Sequence, residues 1–466
     1  MKSVQGNLEI LATGKIGRLL WDYSLPAVVG MLVMSLYNVI DRIFIGQGVG
    51  PEAIAGLAIT FPVMNISAAL GVLIGAGASA RVSIMLGGGN RRGAEEVLGN
   101  SLVLILINAT VYLLFFGIFI DRILILFGAS QASLPYARDF MLYIMPGMLV
   151  MNIGFTLNNI MRASGYPVKA MISMFIGAGC NLVLAPLFIF VFHLGIKGAA
   201  MATDIAMTIF AAKVVWHFME KDTTLRFTKG SFRLRWHIII GIIGIGAAPA
   251  LVNLASCFIN VIINTRLYYF GGDSAVAASG IFVTVTSLLT MIVVGICQGM
   301  QPIVGYNYGA NKLGRLHRAY FLATLWGCGI TALGTILGLT CPSVIARAFT
   351  SDPDLISVTD NALTLSTVMF WVVGFQIVST TFFQSIGKVW KSIFLSLTRQ
   401  VLFLIPLLLI LPDHFALDGV WLAFPVSDAI ATIVTAAMII YQFRIIARNV
   451  KNASETHSEA TKIALR

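Results

Sequence analysis

Three aspartates lie inside strongly apolar stretches of this chain, where a charged side chain needs a chemical reason. They are Asp41, Asp204 and Asp428. A carboxylate at the centre of a lipid bilayer costs about 2.5–3.5 kcal/mol on insertion scales, so each is a candidate functional group. A carboxylate that faces a closed cavity can carry a proton or bind a cation, and its change of charge can bias a two-state protein. These residues therefore indicate cation coupling rather than covalent chemistry.

Asp41 is the strongest of the three candidates because neutral partners occur in the same half of the chain. Asn158, Asn181 and Thr203 carry side-chain oxygens that suit a hard cation or a shared proton. We predict that these four residues form a cation- or proton-coupling cluster. The alternative is that Asp41, which directly precedes Arg42, lies at the outer membrane interface and is only solvated.

The other two aspartates admit structural interpretations. Asp204 is either a second carboxylate of the coupling cluster or a residue of the outer interface. Asp428 is interpreted as structural, with Arg399 as its partner, because charges inside a membrane are normally paired. Arg266 is expected to pair with Asp273 or with lipid phosphate.

Two further sets of residues bear on movement and on substrate binding. Pro26 lies inside the first apolar stretch, where a proline removes one helix hydrogen bond and marks either a bending point or a static kink. Methionine side chains are flexible and apolar, so they suit a cavity that accepts varied ligands. Four methionines are predicted to line such a cavity: Met34, Met64, Met151 and Met291.

The composition indicates which elements position these residues. The chain has 466 residues, of which 58% are hydrophobic and 11% charged, with a mean hydropathy of +0.89. Soluble domains carry about 25% charged residues. Apolar runs of about twenty residues recur throughout, as membrane-spanning helices require. The sequence predicts an all-α polytopic membrane protein with twelve transmembrane helices, at residues 17–45, 53–80, 94–119, 135–161, 168–192, 197–219, 236–269, 275–303, 315–340, 357–385, 392–411 and 418–444.

Basic residues lie in alternate loops, which indicates the membrane topology. They occur around residues 91–92, 162–169, 221–235, 312–318, 388–391 and 444–448, whereas the other loops are mainly acidic. Positively charged loops remain in the cytoplasm, so both termini are predicted to be cytoplasmic. This placement accounts for the net charge of +11 without nucleic acid. The expected partners are membrane lipids and a small amphipathic or cationic substrate, and the protein is expected to be a monomer.

The chain repeats itself with an offset of about 222 residues. Arg162–Gly165 and Gly198–Ala202 align with Gln384–Gly387 and Gly419–Ala423. A repeat of six spans predicts two six-helix lobes of the same orientation, related by a pseudo-two-fold axis along the membrane normal. The predicted boundaries are 1–220 for the amino-terminal lobe, 221–235 for a cytoplasmic inter-lobe loop, 236–448 for the carboxy-terminal lobe and 449–466 for a polar cytoplasmic tail.

The repeat indicates which lobe carries ion coupling, and the absence of known motifs argues against an enzyme. The carboxyl-lobe counterparts of Asp41 and Asp204 are Ile263 or Asn264 and Pro425, so ion coupling is assigned to the amino lobe. The sequence contains no HExxH, GxSxG or P-loop pattern. Its five cysteines are odd in number and form no CxxC pair. We therefore predict no enzyme, no metal centre and no cofactor, with a proton or sodium as the coupling ion.

Several segments make the chain resemble bacterial members of the multidrug and toxic compound extrusion (MATE) family along almost its full length. They are Asn38–Gly46, Ala53–Leu57, Gly195–Thr203, Gln298–Ala310 and Asp418–Ala423. Family members are secondary antiporters that expel cationic or amphipathic drugs and take protons or sodium back. The resemblance implies that Asp41 is the family's first-helix aspartate, with Asn158, Asn181 and Thr203 as its partners. It also implies a location in the cytoplasmic (inner) membrane.

One position departs from this family. Members often read Asn-x-x-x-Asp-Pro in the fifth helix, whereas this chain has Ala185 between Asn181 and Pro186 in place of the acid. The loss of an anionic oxygen ligand disfavours a sodium site, so protons are favoured, and Asp204 is a possible substitute. The alternative function is a flippase or exporter of a lipid-linked or other amphipathic metabolite. A passive channel, from a different class, would need rings of repeated polar residues.

Overall fold

The computed structural model describes the backbone of residues 2–49, 51–129, 131 and 133–464. It describes their side chains except at residues 2–7, 38, 42, 46, 51–56, 58 and 449–464. Across the described residues every regular element is a helix, which confirms the predicted all-α class. Helices suit such an apolar chain because they satisfy all their backbone hydrogen bonds within one segment.

The amino-terminal half contains the first six spans. In chain order they are α2 (Ile16–Gly48), α3 (Pro51–Gly87), α4 (Arg91–Ile118), α6 (Leu134–Ala163), α7 (Pro167–Pro186) with a π-helical extension (Leu187–Val191), and α8 (Gly195–His217). Two shorter helices accompany them, α1 (Lys2–Thr13) before the first span and α5 (Ile120–Leu126) after the third.

The carboxyl-terminal half contains spans that are joined end to end. Helix α9 (Trp236–Gly309) holds the seventh and eighth spans, which are separated at Gly272, where φ is 63°. Glycine adopts this left-handed conformation without a steric penalty. The other elements are α10 (Leu313–Thr340), α11 (Pro342–Arg347), α12 (Pro353–Thr367), a 3₁₀ turn (Phe370–Val372), α13 (Val373–Ser385), α14 (Val389–Leu397), a π-helix (Thr398–Leu404) and α15 (Ile405–Ala464).

Helix α15 holds the end of the eleventh span and the whole twelfth span. They are separated at Ala416, where φ is 49°. The backbone stays helical to Ala464, so the predicted tail continues the last helix. The tail's side chains, from residue 449 onward, lie outside the described residues.

Length and hydropathy give twelve spans within the described ranges. Nine helical stretches are long and apolar enough to cross a membrane. Two of these, of 74 and 60 residues, hold two spans each, because at about 1.5 Å per residue they far exceed a bilayer core of about 30 Å. The tenth span is the bent pair α12 and α13, with an angle of 49°. The predicted twelve-helix architecture is confirmed.

Most of the basic loops gather at one end of the bundle, which we call the basic end. The connector at residues 218–235 lies there, because Asn100 donates from Nδ2 to the Ser231 carbonyl at 3.0 Å. The start of the chain joins the same end, since Arg315 donates from Nη2 to the Gly14 carbonyl at 2.7 Å. The spans therefore begin and end at two chemically distinct surfaces.

Ion pairs mark the opposite end. They are Arg138–Asp121 at 3.3 Å, Lys197–Asp139 at 3.1 Å and Arg266–Asp413 at 3.8 Å. Of the two partners predicted for Arg266, Asp273 is not the one found, because the seventh and eleventh spans pack in one apolar core and bring Asp413 beside Arg266. The lipid phosphate stays a prediction. The five cysteines are free thiols, of which Cys297 is buried and Cys341, at this end, is exposed.

The apolar cores differ between the two ends. At the opposite end one core uses amino-half residues alone, from Ile45 to Ala200, and another uses carboxyl-half residues alone, from Ile259 to Ala423. Near the basic end a core joins Leu11–Tyr23 of the amino half to residues 293–386 of the carboxyl half. The two lobes therefore share a core near the basic end and keep separate cores at the other.

The lobes also meet backbone to backbone near the basic end. A β-carbon at Gly77 would lie 1.9 Å from the Ile242 carbonyl, and one at Gly309 would lie 2.0 Å from the Ile84 carbonyl. Only glycine permits approaches this close, because any side chain would displace the facing helix. The basic end is thus closed by direct helix contact between the halves.

Candidate coupling site and inter-lobe contacts

The depth of Asp41 follows from the packing of the first span along the fifth. A β-carbon at Gly30 would lie 2.9 Å from Met174, and one at Gly48 would lie 2.2 Å from Ile189. These two contacts bracket Asp41, and both helices rise by about 1.5 Å per residue. Asp41 therefore lies level with the part of the fifth span that follows residue 180, and its Oδ1 atom is shielded from solvent.

Two of the predicted partners meet at this level. The Asn181 side chain is buried, and its Nδ2 donates to Thr203 Oγ1 on the sixth span at 2.9 Å. The Thr203 hydroxyl donates in turn to the Ala199 carbonyl at 3.1 Å. Within the described residues no donor is bonded to the Asn181 Oδ1 atom. The pair therefore presents a neutral oxygen acceptor at the level of Asp41.

Ala185 occupies a packed position in the same helix. It follows Asn181 by about one helical turn and is fully buried, with 0% exposure. A methyl group fills this position, so this part of the site offers no second carboxylate.

The side chain of Asp204 lies on a different face of the sixth span from that of Thr203. Its carboxylate lies against the fourth span, where a β-carbon at Gly147 would fall 1.8 Å from Asp204 Oδ1. That oxygen is buried and accepts no hydrogen bond of normal geometry from the described part of the chain. Adjacent residues on a helix point about 100° apart. The structure therefore brings Asp204 to the fourth–sixth span interface rather than to Asn181 and Thr203.

Asn158 is bound near the basic end. Its Nδ2 donates to the Ala170 carbonyl at 2.9 Å, and its Oδ1 accepts from Arg162 Nη2 at 2.9 Å. Arg162 is 5% exposed, and its Nη1 donates to Gln298 Oε1 on the eighth span. A polar chain thus runs from Asn158 across the lobe boundary. The sequence pattern places Arg162 among the loop cations, and nothing in it indicates this contact.

Pro26 lies where the first span contacts the other lobe. Helix α2 is continuous through Pro26. On one side of it Ser24 donates from Oγ to the Ile296 carbonyl at 3.3 Å, and on the other Val28 lies 2.5 Å from a β-carbon built at Gly295. A change of bend at Pro26 would therefore alter a contact between lobes.

The four predicted cavity methionines lie at the margins of the cores. Met34 and Met151 are half-buried against the amino-lobe core nearer the basic end, and Met64 packs on the core of the opposite end. Met291 is half-buried in the eighth span. A cavity of about 360 Å³ contains none of them and is lined by Leu70, Leu73, Ile74, Leu104, Ile107, Asn108, Val111, Tyr112, Phe115, Phe116 and Ile243. Their role in substrate binding stays a prediction.

The carboxyl lobe holds a buried polar cluster. Arg399 Nε donates to Asp428 Oδ1 at 2.6 Å, which confirms the predicted pairing. Gln376 Nε2 donates to the Asp428 carbonyl at 2.7 Å and to Thr432 Oγ1 at 2.6 Å. Across the described residues no group of three or more His, Cys, Asp or Glu side chains could hold a metal ion.

These features define a class of protein: a multi-pass helical membrane transporter of two lobes that close against each other at one end. The sequence profile of the MatE family matches residues 26–187 and again residues 248–410. The two matches begin 222 residues apart, which is the offset of the internal repeat. The chain therefore belongs to the MatE family, whose members are transporters.

Similar proteins support this assignment along at least 90% of the chain. The multidrug export protein MepA of Staphylococcus aureus is 25% identical over 423 residues, covering 91% of this chain and 93% of the relative. An FAD transporter of Shewanella oneidensis is 28% identical over 429 residues, covering 90% and 93%. A solved multidrug resistance MATE family transporter in an outward-facing conformation has a TM-score of 0.89 at 25% identity, covering 94% of this chain and 98% of that one.

Proposed function

We propose that the protein is a secondary active exporter of cationic or amphipathic small molecules, driven by cation antiport through the amino lobe, with protons favoured over sodium. The observation that carries this proposal is that Asp41 lies at the same level along the bundle as the bonded Asn181–Thr203 pair. A single carboxylate next to neutral oxygens suits a proton. Ala185 is buried and has no carboxylate, so the site lacks the anionic ligand that would favour sodium.

The arrangement of the two lobes supports a mechanism of alternating access. Near the basic end the lobes share a core, whereas at the opposite end their cores are separate. A substrate path between the lobes would thus be closed at the basic end and open at the other. Cation binding at Asp41 would be linked to this equilibrium through the first span, which contacts both lobes.

The orientation and location complete the proposal. By the positive-inside rule the basic end faces the cytoplasm, which puts both termini inside. The proposal further takes the protein to be a monomer in the inner membrane, as the family resemblance implies for the location. The state described above would then face outward, ready to release substrate and load a cation.

The proposal is tested by dye efflux from proteoliposomes with Asp41→Asn. The neutral amide keeps the size of the side chain but cannot release a proton, so gradient-driven efflux should fall to the level of protein-free vesicles. Asp22→Asn is the matched control, because Asp22 lies in the same helix, is 54% exposed and, among the described residues, forms an ion pair only with Arg18. Efflux by Asp41→Asn at the rate of the control would contradict the proposal.

The coupling ion is tested separately with the unmodified protein. Efflux should collapse when a protonophore dissipates the pH gradient, and it should continue in sodium-free buffer. Efflux that requires a sodium gradient at clamped pH would reverse the choice of ion while leaving export itself intact.

A further inference from the structure

The polar cluster of the carboxyl lobe lies near the middle of the membrane. Arg399 follows the start of α14 at Val389 by ten residues. At about 1.5 Å per residue it lies roughly 15 Å from that end, which is half the thickness of a bilayer core. Asp428 follows the chain break at Ala416 by twelve residues and reaches a similar depth from the other side.

The ion pair uses only one edge of the Arg399 guanidinium. Nε is bonded to Asp428, while Nη1 and Nη2 donate no hydrogen bond within the described part of the chain. The Arg399 side chain is 28% exposed, whereas the Asp428 side chain is only 4% exposed. Asp428 therefore holds the guanidinium from one side and leaves the paired terminal N–H groups open.

The surroundings fix this geometry. Thr398 to Leu404 form a π-helix, and the Arg399 carbonyl accepts a hydrogen bond from Ser427 Oγ at 2.7 Å. Gln376 is 5% exposed and bonds to the Asp428 carbonyl, so the twelfth span is tied to the tenth as well as to the eleventh. Local π-helical turns are frequent at functional sites.

An open guanidinium edge at this depth must face a polar space. Charged side chains in membranes face the bundle interior or a water-filled cavity, since hydrocarbon cannot satisfy their donors. Arginine near a membrane surface can instead extend to the headgroups, but the Nε bond to the buried Asp428 prevents that extension here.

The internal repeat indicates that the fold does not require this cluster. Offsets of 222 and 221 residues give the amino-lobe counterparts: Gly154 for Gln376, Gly177 for Arg399 and Met207 for Asp428. All three are buried, and the space is filled by Phe210. A β-carbon at Gly154 would lie 2.5 Å from its ring, and one at Gly177 would lie 3.0 Å from its Cβ. The same scaffold thus packs this position with apolar groups in the other lobe.

We propose that Arg399 is a substrate-recognition residue whose open edge binds a carboxylate or phosphate group on an amphipathic substrate, with Asp428 as its positioning residue. Two parallel N–H donors match the two oxygens of such a group. The inference rests on the proposed export function and extends its substrate class from cations to amphiphiles that bear an oxyanion.

A matched pair of flavins tests this proposal. Riboflavin and riboflavin 5′-phosphate share one fluorescent ring system and differ by the phosphate, so binding to purified protein can be compared by fluorescence quenching. Nanodiscs of zwitterionic lipid alone exclude competition from anionic headgroups. The parent should bind the phosphate ester more tightly than riboflavin.

The variants separate recognition from folding. Arg399→Met combined with Asp428→Leu removes both charges together, so no unpaired charge stays buried, and such replacements are often neutral for stability. The Kd for riboflavin 5′-phosphate should rise about tenfold to a hundredfold, with the Kd for riboflavin unchanged. Arg399→Lys, which keeps the charge but loses the planar fork, should give an intermediate loss.

The control is the double variant Arg266→Met and Asp413→Leu. It removes another ion pair of the same lobe, at the opposite end, whose arginine side chain is also 28% exposed, and both flavins should bind as they do to the parent. Equal binding of the two flavins by the parent, no binding of the phosphate ester, or an unchanged Kd in the Arg399 double variant would each overturn the proposal. Failure of the parent to export a cationic dye would instead overturn the proposed function.

Discussion

At the scale of single residues, neighbours in sequence have different surroundings. Thr203 bonds to Asn181 on the fifth span, while Asp204 lies against Gly147 on the fourth. The sequence indicated that both were polar residues at membrane depth and left the role of Asp204 open. It could not show which helix each side chain faces, because that depends on the rotation of the sixth span in the bundle.

Adding the missing acid should change the ion preference. In Ala185→Asp a second carboxylate would lie about one turn from Asn181 and near the level of Asp41. Hard anionic oxygens favour a metal cation over a proton, so efflux should gain dependence on a sodium gradient at clamped pH. The measurement is dye efflux with each gradient imposed alone. Ala185→Asn supplies size without charge and should stay sodium-independent, and a sodium response in both variants would contradict the explanation.

Adding a side chain at Gly147 should destabilise the protein by displacing Asp204, which packs against this glycine. The added β-carbon of Gly147→Ala would lie 1.8 Å from Asp204 Oδ1, and overpacking of this kind costs about 1–3 kcal/mol. The melting temperature should fall, and Asp204→Ala in the same chain should restore part of it. Gly179→Ala is the control, since nothing beyond its own turn of helix lies within 4 Å of its β-carbon. Equal melting temperatures for the two single variants would show that Asp204 does not pack there.

At the scale of elements, the sequence predicted the membrane spans but not the contacts between spans that are distant in the chain. The breaks at Gly272 and Ala416 fall between the predicted spans, at residues 270–274 and 412–417, although α15 stays helical through Pro412. Apolar length identifies a span, since it depends on the bilayer alone. The Arg162–Gln298 bond joins residues 136 positions apart, and no local pattern reports such a contact.

Breaking that bond should loosen the basic end. Gln298→Ala leaves the buried Arg162 with Asn158 as its remaining side-chain partner, and an unsatisfied charged donor costs more than a neutral one. The equilibrium should therefore shift toward separation of the lobes at the basic end. Spin labels at Arg92 and Trp390, both exposed, on a background with the five cysteines replaced, would report a longer distance population.

A matched control distinguishes this effect from general loosening. Gln442→Leu removes the Lys391–Gln442 bond of 2.6 Å, which lies within the carboxyl lobe. The label distances in this variant should equal those of the parent. If Gln298→Ala gave the parent's distances as well, Arg162 would have no part in closing the basic end.

At the scale of the whole molecule, the internal repeat was the most informative feature of the sequence. It predicted two related lobes, and the two family matches and the twelve spans agree with it. The lobes differ at Asp41, whose carboxyl-lobe counterpart is Ile263 or Asn264, and at Arg399, whose amino-lobe counterpart is Gly177. The repeat could not predict the shared core near the basic end, because that core arises from the packing of one lobe against the other.

The central claim, that protons move through the amino lobe against the substrate, is tested most directly by running the exchange in reverse. Proteoliposomes that contain a pH-sensitive dye are given a gradient of a cationic substrate in sodium-free buffer. The unmodified protein should move protons against the substrate flow and change the internal pH, while Asp41→Asn should leave it constant. A substrate flux without any pH change in the unmodified protein, or an equal pH change in Asp41→Asn, would contradict the account.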